Sequence, residues 1–222
     1  MLKSFIEITY GVVFLFYDKI SDEERFIIKS SAYSAIDKYN ISSLPVTIDT
    51  ICKNNLFNLT SIQRLSFMTG TPVDEYLSTC GGYGYLYYSS DRDRYFIFYN
   101  EDLGPKLSMW TIIFLIAEIE LNYVYPDRIT YLSLDDLYLQ TFASYFAAPD
   151  PILCECDITS PYNIVNTCNL PVKNAVWKSR ILKKHFPSTA LDEHLKFKFS
   201  KYIDSYKREK PPSAPTPDGF HR

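Results

Sequence analysis

The chain has 222 residues, 46% of them hydrophobic, enough for a real core, which excludes disorder for the bulk of it. Lys and Arg total 23 against 26 Asp and Glu, a formal charge of −3, so no global basic excess exists to hold DNA or an anionic membrane. None of the three histidines, His185, His194 and His221, lies four residues from another, which excludes an HExxH zinc helix.

In chain order, the first feature is the uncharged run Ile8 to Tyr17. It is too short for a membrane span, which takes roughly 20 apolar residues, and no small-residue cleavage site follows it. Residues 1–21 therefore read as an N-terminal extension that packs as an extra helix or strand, or meets a partner or membrane surface. With no clean secretory signal, the odd number of cysteines (Cys52, Cys80, Cys154, Cys156 and Cys168) implies reduced thiols and a cytoplasmic protein.

Phe26, Ile27, Ala32, Ala35 and Ile36 carry helical spacing and predict a helix from about Asp22 to Tyr39. A turn through Leu44-Pro45 leads to a short element, Val46 to Cys52. A second helical pattern spans Thr60 to Met68 and stops at Gly70. Thr71-Pro72-Val73-Asp74-Glu75 reads as a helix start, with Thr as cap and Pro at the first helical position. The period then changes. Tyr83 to Tyr88 and Arg94 to Tyr99 are aromatic runs around a polar turn, the pattern of a β-hairpin. Asp91 and Asp93 sit in that turn without the glycine and distal glutamate of a calcium loop, so a solvated turn is the simpler reading.

The most apolar helix, Trp110 to Asn122, should run through the core. Another follows from Leu134 to Ala148, with Ser133 as cap and Asp136 completing a capping box; Pro149 and Pro151 end it. Two more helical stretches cover Ser160 to Cys168 and Pro171 to Lys184. Residues 207–222 contain four prolines and no apolar period, the composition of a disordered tail. The expected fold is α+β, one domain over residues 1–206: a small antiparallel sheet against helices, with a helical C-terminal part over 158–206.

Tyr99-Asn100 at the hairpin's end, Trp110-Thr111 in the buried helix, then Phe142-Ala143 and Phe146-Ala147-Ala148-Pro149 in the next resemble the ImmA/IrrE family of zinc-peptidase-like proteins. The resemblance covers roughly residues 22–185 in element order and implies a zincin-like helix pair at the centre. Aligned on these motifs, the family's first histidine falls on Phe114, its catalytic glutamate on Leu115 and its second histidine on Glu118. Its glutamate ligand falls on Tyr138, with Asp136 the nearest acid. A hydrolytic zinc site needs three ligands and a base for the water. Only Glu118 among these four binds metal well, so zinc is expected to be absent and catalysis with it. Glu118 either reaches an open groove or bonds to Tyr138 in place of the metal.

The resemblance implies a catalytically degenerate regulator, commonly from a prophage or mobile element, that acts on a helix-turn-helix repressor by binding. Tyr83, Tyr85, Tyr87, Tyr99 and Asn100 would line the contact groove, tyrosine offering large area and a polar handle; alternatively the tyrosines merely coat a sheet. Two rival readings remain. An altered metal site could use Glu118, Glu120, Asp135 or Asp136. The last helices, with Lys173, Lys178, Arg180, Lys183 and Lys184, could lie on DNA, although the net charge favours charges that simply face water. Cys154, Cys156, Cys168 and His185 match no common zinc finger, and no feature beside Cys80 marks it as a nucleophile.

Overall fold

The computed structural model describes residues 20–52, 57–132, 135–183 and 188–209. Helix α1 (Asp22–Lys38) opens on a capping box, in which Ser21 Oγ accepts from the Glu24 amide and the Glu24 carboxylate accepts from the Ser21 amide. Its buried face carries Ile28, Ala32, Tyr33, Ala35 and Ile36. Phe26 and Ile27, expected on that face, are each 56% exposed. They lie outside the stripe set by 28, 32, 35 and 36, whose i, i+4, i+7, i+8 spacing defines the helix side that packs.

After the Leu44-Pro45 turn come helix α2 (Ile48–Cys52) and strand β1 (Phe57–Ser61). Thr60 and Ser61 thus end a strand, where a helix was expected, and Ser61 caps helix α3 (Ile62–Thr69), which stops at Gly70 with φ 76°. In helix α4 (Val73–Thr79), Pro72 occupies the cap position that the sequence suggested for Thr71. Strands β2 (Gly84–Ser89) and β3 (Arg94–Tyr99) form the expected antiparallel hairpin, registered from Gly84 opposite Tyr99 to Ser89 opposite Arg94.

The sheet as a whole is mixed, which corrects the antiparallel expectation. Its order is β1-β3-β2-β4, with β1 parallel to β3. A parallel pair needs a crossover, and α3 with α4 supplies it before the chain returns as the hairpin.

Helix α5 (Pro105–Glu120) starts earlier than its apolar run, because Gly104 takes φ 78° and Pro105 fits the first helical position. Every residue from Ser108 to Ile119 is buried, so the helix threads the core as expected. The edge strand β4 (Ile129–Tyr131) pairs antiparallel with β2. Helix α6 (Leu137–Ala147) begins later than expected: Asp136 itself is the cap, accepting from the amides of Tyr138 and Leu139 at 2.8 and 3.0 Å. Ser133 lies outside the described residues. The prolines that end α6 also open helix α7 (Asp150–Glu155), with Pro149 at its cap.

Helices α8 (Pro161–Cys168), α9 (Val172–Leu182), α10 (Ala190–Lys198) and α11 (Ser200–Glu209) complete the C-terminal part. Residues 207–209, assigned to the tail by composition, belong to α11; the rest of that segment, the N-terminal run and His185 fall outside the described residues. No helix among the described residues is long and apolar enough to cross a membrane.

One apolar core runs from Ile20 to Ile203. Helices α1 and α6 pack on α5, and the inner face of the sheet, Leu86 and Ile97 above all, closes the core from the other side. Gly84 permits that closure: a Cβ there would lie 2.4 Å from the Phe98 carbonyl oxygen and 3.1 Å from Thr111 on α5. At the other end, Lys178 corrects the expectation that the charges of α9 face water. It has no exposed surface, pairs with Asp150 on α7, and sits 4.0 Å from the centroid of the Tyr145 ring. Burial lowers its pKa, with Asp150 acting against that shift.

Candidate functional site at the central helix pair

Helices α5 and α6 bring together some of the positions singled out in sequence and separate others. Phe114 is 1% exposed, with its ring 5.2 Å from that of Trp110, and Leu115 is fully buried. Both are core residues. Neither side chain has a lone pair to give a metal or a proton acceptor to offer water, so the donor set does not fit a hydrolytic zinc site.

Glu118, one turn beyond Phe114, is 5% exposed. Among the described residues its carboxylate has no hydrogen-bond partner. Burial pushes its pKa up to about 7, and the nearby Asp136 carboxylate adds to the shift. Tyr123, at the exit of α5, belongs to the same group: its own pKa is raised by burial, then by Asp136 and Glu118. Glu118 therefore faces a second acid and a phenol, both short of full burial.

Tyr138 goes elsewhere. Its hydroxyl donates to Glu24 on α1 at 2.5 Å, which leaves no Glu118–Tyr138 tie. That hydrogen bond, with those from Ser21, holds the Glu24 carboxyl down at about 2 and raises the Tyr138 phenol. The link between α6 and its neighbours at this end is thus made to α1. Sequence spacing could not reveal it, because Glu24 and Tyr138 are 114 positions apart.

Of the remaining acids, only Asp136 comes near Glu118. Glu120 accepts from Lys38 at 2.8 Å and from the Tyr39 hydroxyl at 2.5 Å, which ties α5 to α1. Asp135 is exposed, and Asp136 is engaged as a helix cap. No three His, Cys, Asp or Glu side chains among the described residues are placed to hold a metal ion. No disulfide joins any of the five cysteines; burial pushes Cys168 up to about 12 and raises Cys80 and Cys154 as well.

The groove residues divide by strand parity. Tyr85 and Tyr87 lie on the outer face of β2, opposite Phe98 and Phe96 of β3. Tyr99 lies on the other face, where it packs against the main core. Tyr83 precedes β2, and its carbonyl accepts from the Asn100 amide at 2.8 Å. Asn100 is buried and organises the loop: its Nδ2 donates to Gly82 O at 2.9 Å, and its Oδ1 accepts from Gln63 Nε2 at 2.6 Å and the Asp102 amide at 3.0 Å. Its carbonyl accepts from Ser108 Oγ at 2.8 Å, which fixes the hairpin's exit to the first turns of α5.

Compared with protein-family models, with curated proteins and with solved structures, the chain matches none of them.

Proposed function

We propose that this chain is a peptidase-like protein that has lost its zinc chemistry and acts by binding another protein. On this reading it descends from ImmA/IrrE-type peptidases and works in the cytoplasm as a regulator, with a helix-turn-helix repressor as the partner class that the resemblance implies. The observation that carries the non-hydrolytic half is the packing of Phe114 and Leu115 into the core at the two positions where a ligand and the base would stand. A lone carboxylate at Glu118 cannot replace three ligands and a base.

Supporting the binding half is the outer face of the hairpin, which keeps aromatic area outside the core. Of the rivals, an altered metal centre lacks a convergent donor set, since Glu120 is turned to Lys38 and Tyr39. A DNA-binding role for α9 loses Lys178 to the internal pair with Asp150.

Elemental analysis of the purified protein, alongside an assay for cleavage of a helix-turn-helix repressor, tests the reading. The expected result is substoichiometric zinc and an intact repressor. One zinc per chain that is lost in Glu118→Gln would overturn it.

A further inference from the structure

The outer face of the sheet is read off the registers. One row crosses all four strands, Asn58, Phe96, Tyr87 and Ile129; the next is Thr60, Phe98, Tyr85 and Tyr131. Helices α3 and α4 cover part of the second row, where Tyr85 and Phe98 pack against Ile62, Tyr76 and Leu77. The first row is open. Tyr87 and Phe96 face each other with ring centroids 6.3 Å apart and Ile129 at the row's end is 49% exposed, while beside it Tyr131, at the end of the second row, is 48% exposed. A cavity of about 380 Å³ lies over this row, lined by Tyr87, Ser89, Asp91, Arg92, Phe96 and Phe98. That volume suits one or two side chains.

The charges around the cavity choose its occupant. Arg92 lies over the Phe96 ring at 5.9 Å, and Arg94 shares the face by parity with Phe96. Neither has a carboxylate partner among the described residues. The neighbouring aspartates are largely engaged. Asp127 accepts from the Ser90 amide, Ser90 Oγ and the Tyr87 hydroxyl, and Asp93 accepts from the Tyr88 hydroxyl. Asp91, which also lines the cavity, has no partner among the described residues, so two unpaired arginines stand against one unpaired carboxylate and the balance left for short-range pairing is cationic. The wider field is not: Asp91, Asp93 and Asp127 offset Arg92, Arg94 and Arg128. A nucleic acid, which places a phosphate at every residue and draws its affinity from net positive charge, gains little here. A ligand with an isolated carboxylate beside an apolar group gains both contacts.

We infer that the open half of this face takes an acidic segment of a partner protein, with an apolar side chain on the Tyr87–Phe96 floor and a carboxylate held by Arg92 and Arg94. This rests on the reading that the chain works by binding a protein, and it names the surface and the partner's chemistry.

A random heptapeptide display library selected on the full chain tests it, followed by fluorescence polarisation with the labelled winners and with labelled oligothymidylate. The expected winners are rich in Asp or Glu next to an aliphatic or aromatic residue. They lose at least tenfold in affinity with Phe96→Ser and with Arg92→Ala. Changing the peptide's acid to its amide loses a similar factor in the wild type and little more in Arg92→Ala. Arg92 is exposed, so that variant keeps the fold even where Phe96→Ser does not. Winners that ignore both substitutions, a selection without acidic enrichment, or tighter binding of oligothymidylate than of any peptide would overturn the inference. The reading beneath it fails by a different signal, the stoichiometric zinc described above, which these peptide measurements do not report.

Discussion

The α5–α6 pair and the outer face of the sheet are built from the same kind of residue and use it in opposite ways. Phe114 and Phe142 are at most 1% exposed, whereas Ile129 and Tyr131 keep about half their surface. At the helix pair, where the resemblance places chemistry, the aromatic and aliphatic groups fill volume and leave one carboxylate, Glu118, in a costly position. At the sheet, where no catalytic motif was read, they remain available beside unpaired arginines. Aromatic richness alone thus says nothing about role; the parity of a strand or the face of a helix decides it.

The largest expected effect separates these regions by truncation. Phe114→Ala opens a cavity in the closed core and should destabilise the protein by about 3–5 kcal/mol, whereas Phe96→Ala on the half-open sheet should cost about 1 kcal/mol. Urea unfolding of the two variants gives both numbers. Equal losses would mean that the sheet's outer face is core after all.

A second contrast concerns ion pairs. Lys178 is fully buried against Asp150, while Lys38, 48% exposed at its side chain, meets Glu120 nearer the surface. Lys178→Ala strands the Asp150 charge inside and should cost about 3–5 kcal/mol, against less than about 1 kcal/mol for Lys38→Ala. Chemical denaturation in low and high salt checks this, since only the Lys38 effect should shrink with screening.

A smaller effect comes from Glu118. Its folded pKa of about 7 lies above the ordinary 4.5, so between those values the folded state holds a proton that the unfolded state has released. Stability from this group is highest below pH 4.5, falls as pH rises to 7, and stays low above it. Glu118→Gln removes that dependence. Relative to the wild type it should gain on the order of 2 kcal/mol between pH 4.5 and 8, read from melting curves across the range. A difference between the two proteins that does not change with pH would place the Glu118 carboxylate in water.

Much of this was legible in the sequence where one local signal governs. The hairpin followed from two aromatic runs around a polar turn, and α5 from its unbroken apolar stretch. The rest depended on distant partners. Nothing near Phe57 says that β1 will run parallel to β3, because the pairing closes only after α3 and α4 have crossed over. Lys178 resembles any surface lysine until Asp150 is placed beside it. The helix start at Asp136 shows a competition between caps: its carboxylate reaches two amides within its own turn. Of the candidate site, Phe114, Leu115 and Glu118 were placed by their spacing on one helix, whereas the Tyr138–Glu24 bond joins segments that spacing cannot relate.

Rebuilding the site gives the sharpest test of the proposal that the helix pair is of zincin type, its chemistry overwritten by core. Phe114→His, Leu115→Glu, Glu118→His and Tyr138→Glu together restore three ligands and a base at the positions the resemblance assigns, and circular dichroism verifies the fold first. Calorimetric zinc titration should then show one tight site in the variant and none in the wild type, at some cost in stability from polar groups placed in the core. Proteolysis is not expected to return, because four substitutions do not supply the hydrogen-bonded groups that orient such ligands. A folded variant that binds zinc no better than the wild type would contradict the claim, since residues 114, 118 and 138 would then not share the geometry that a zincin ancestor requires.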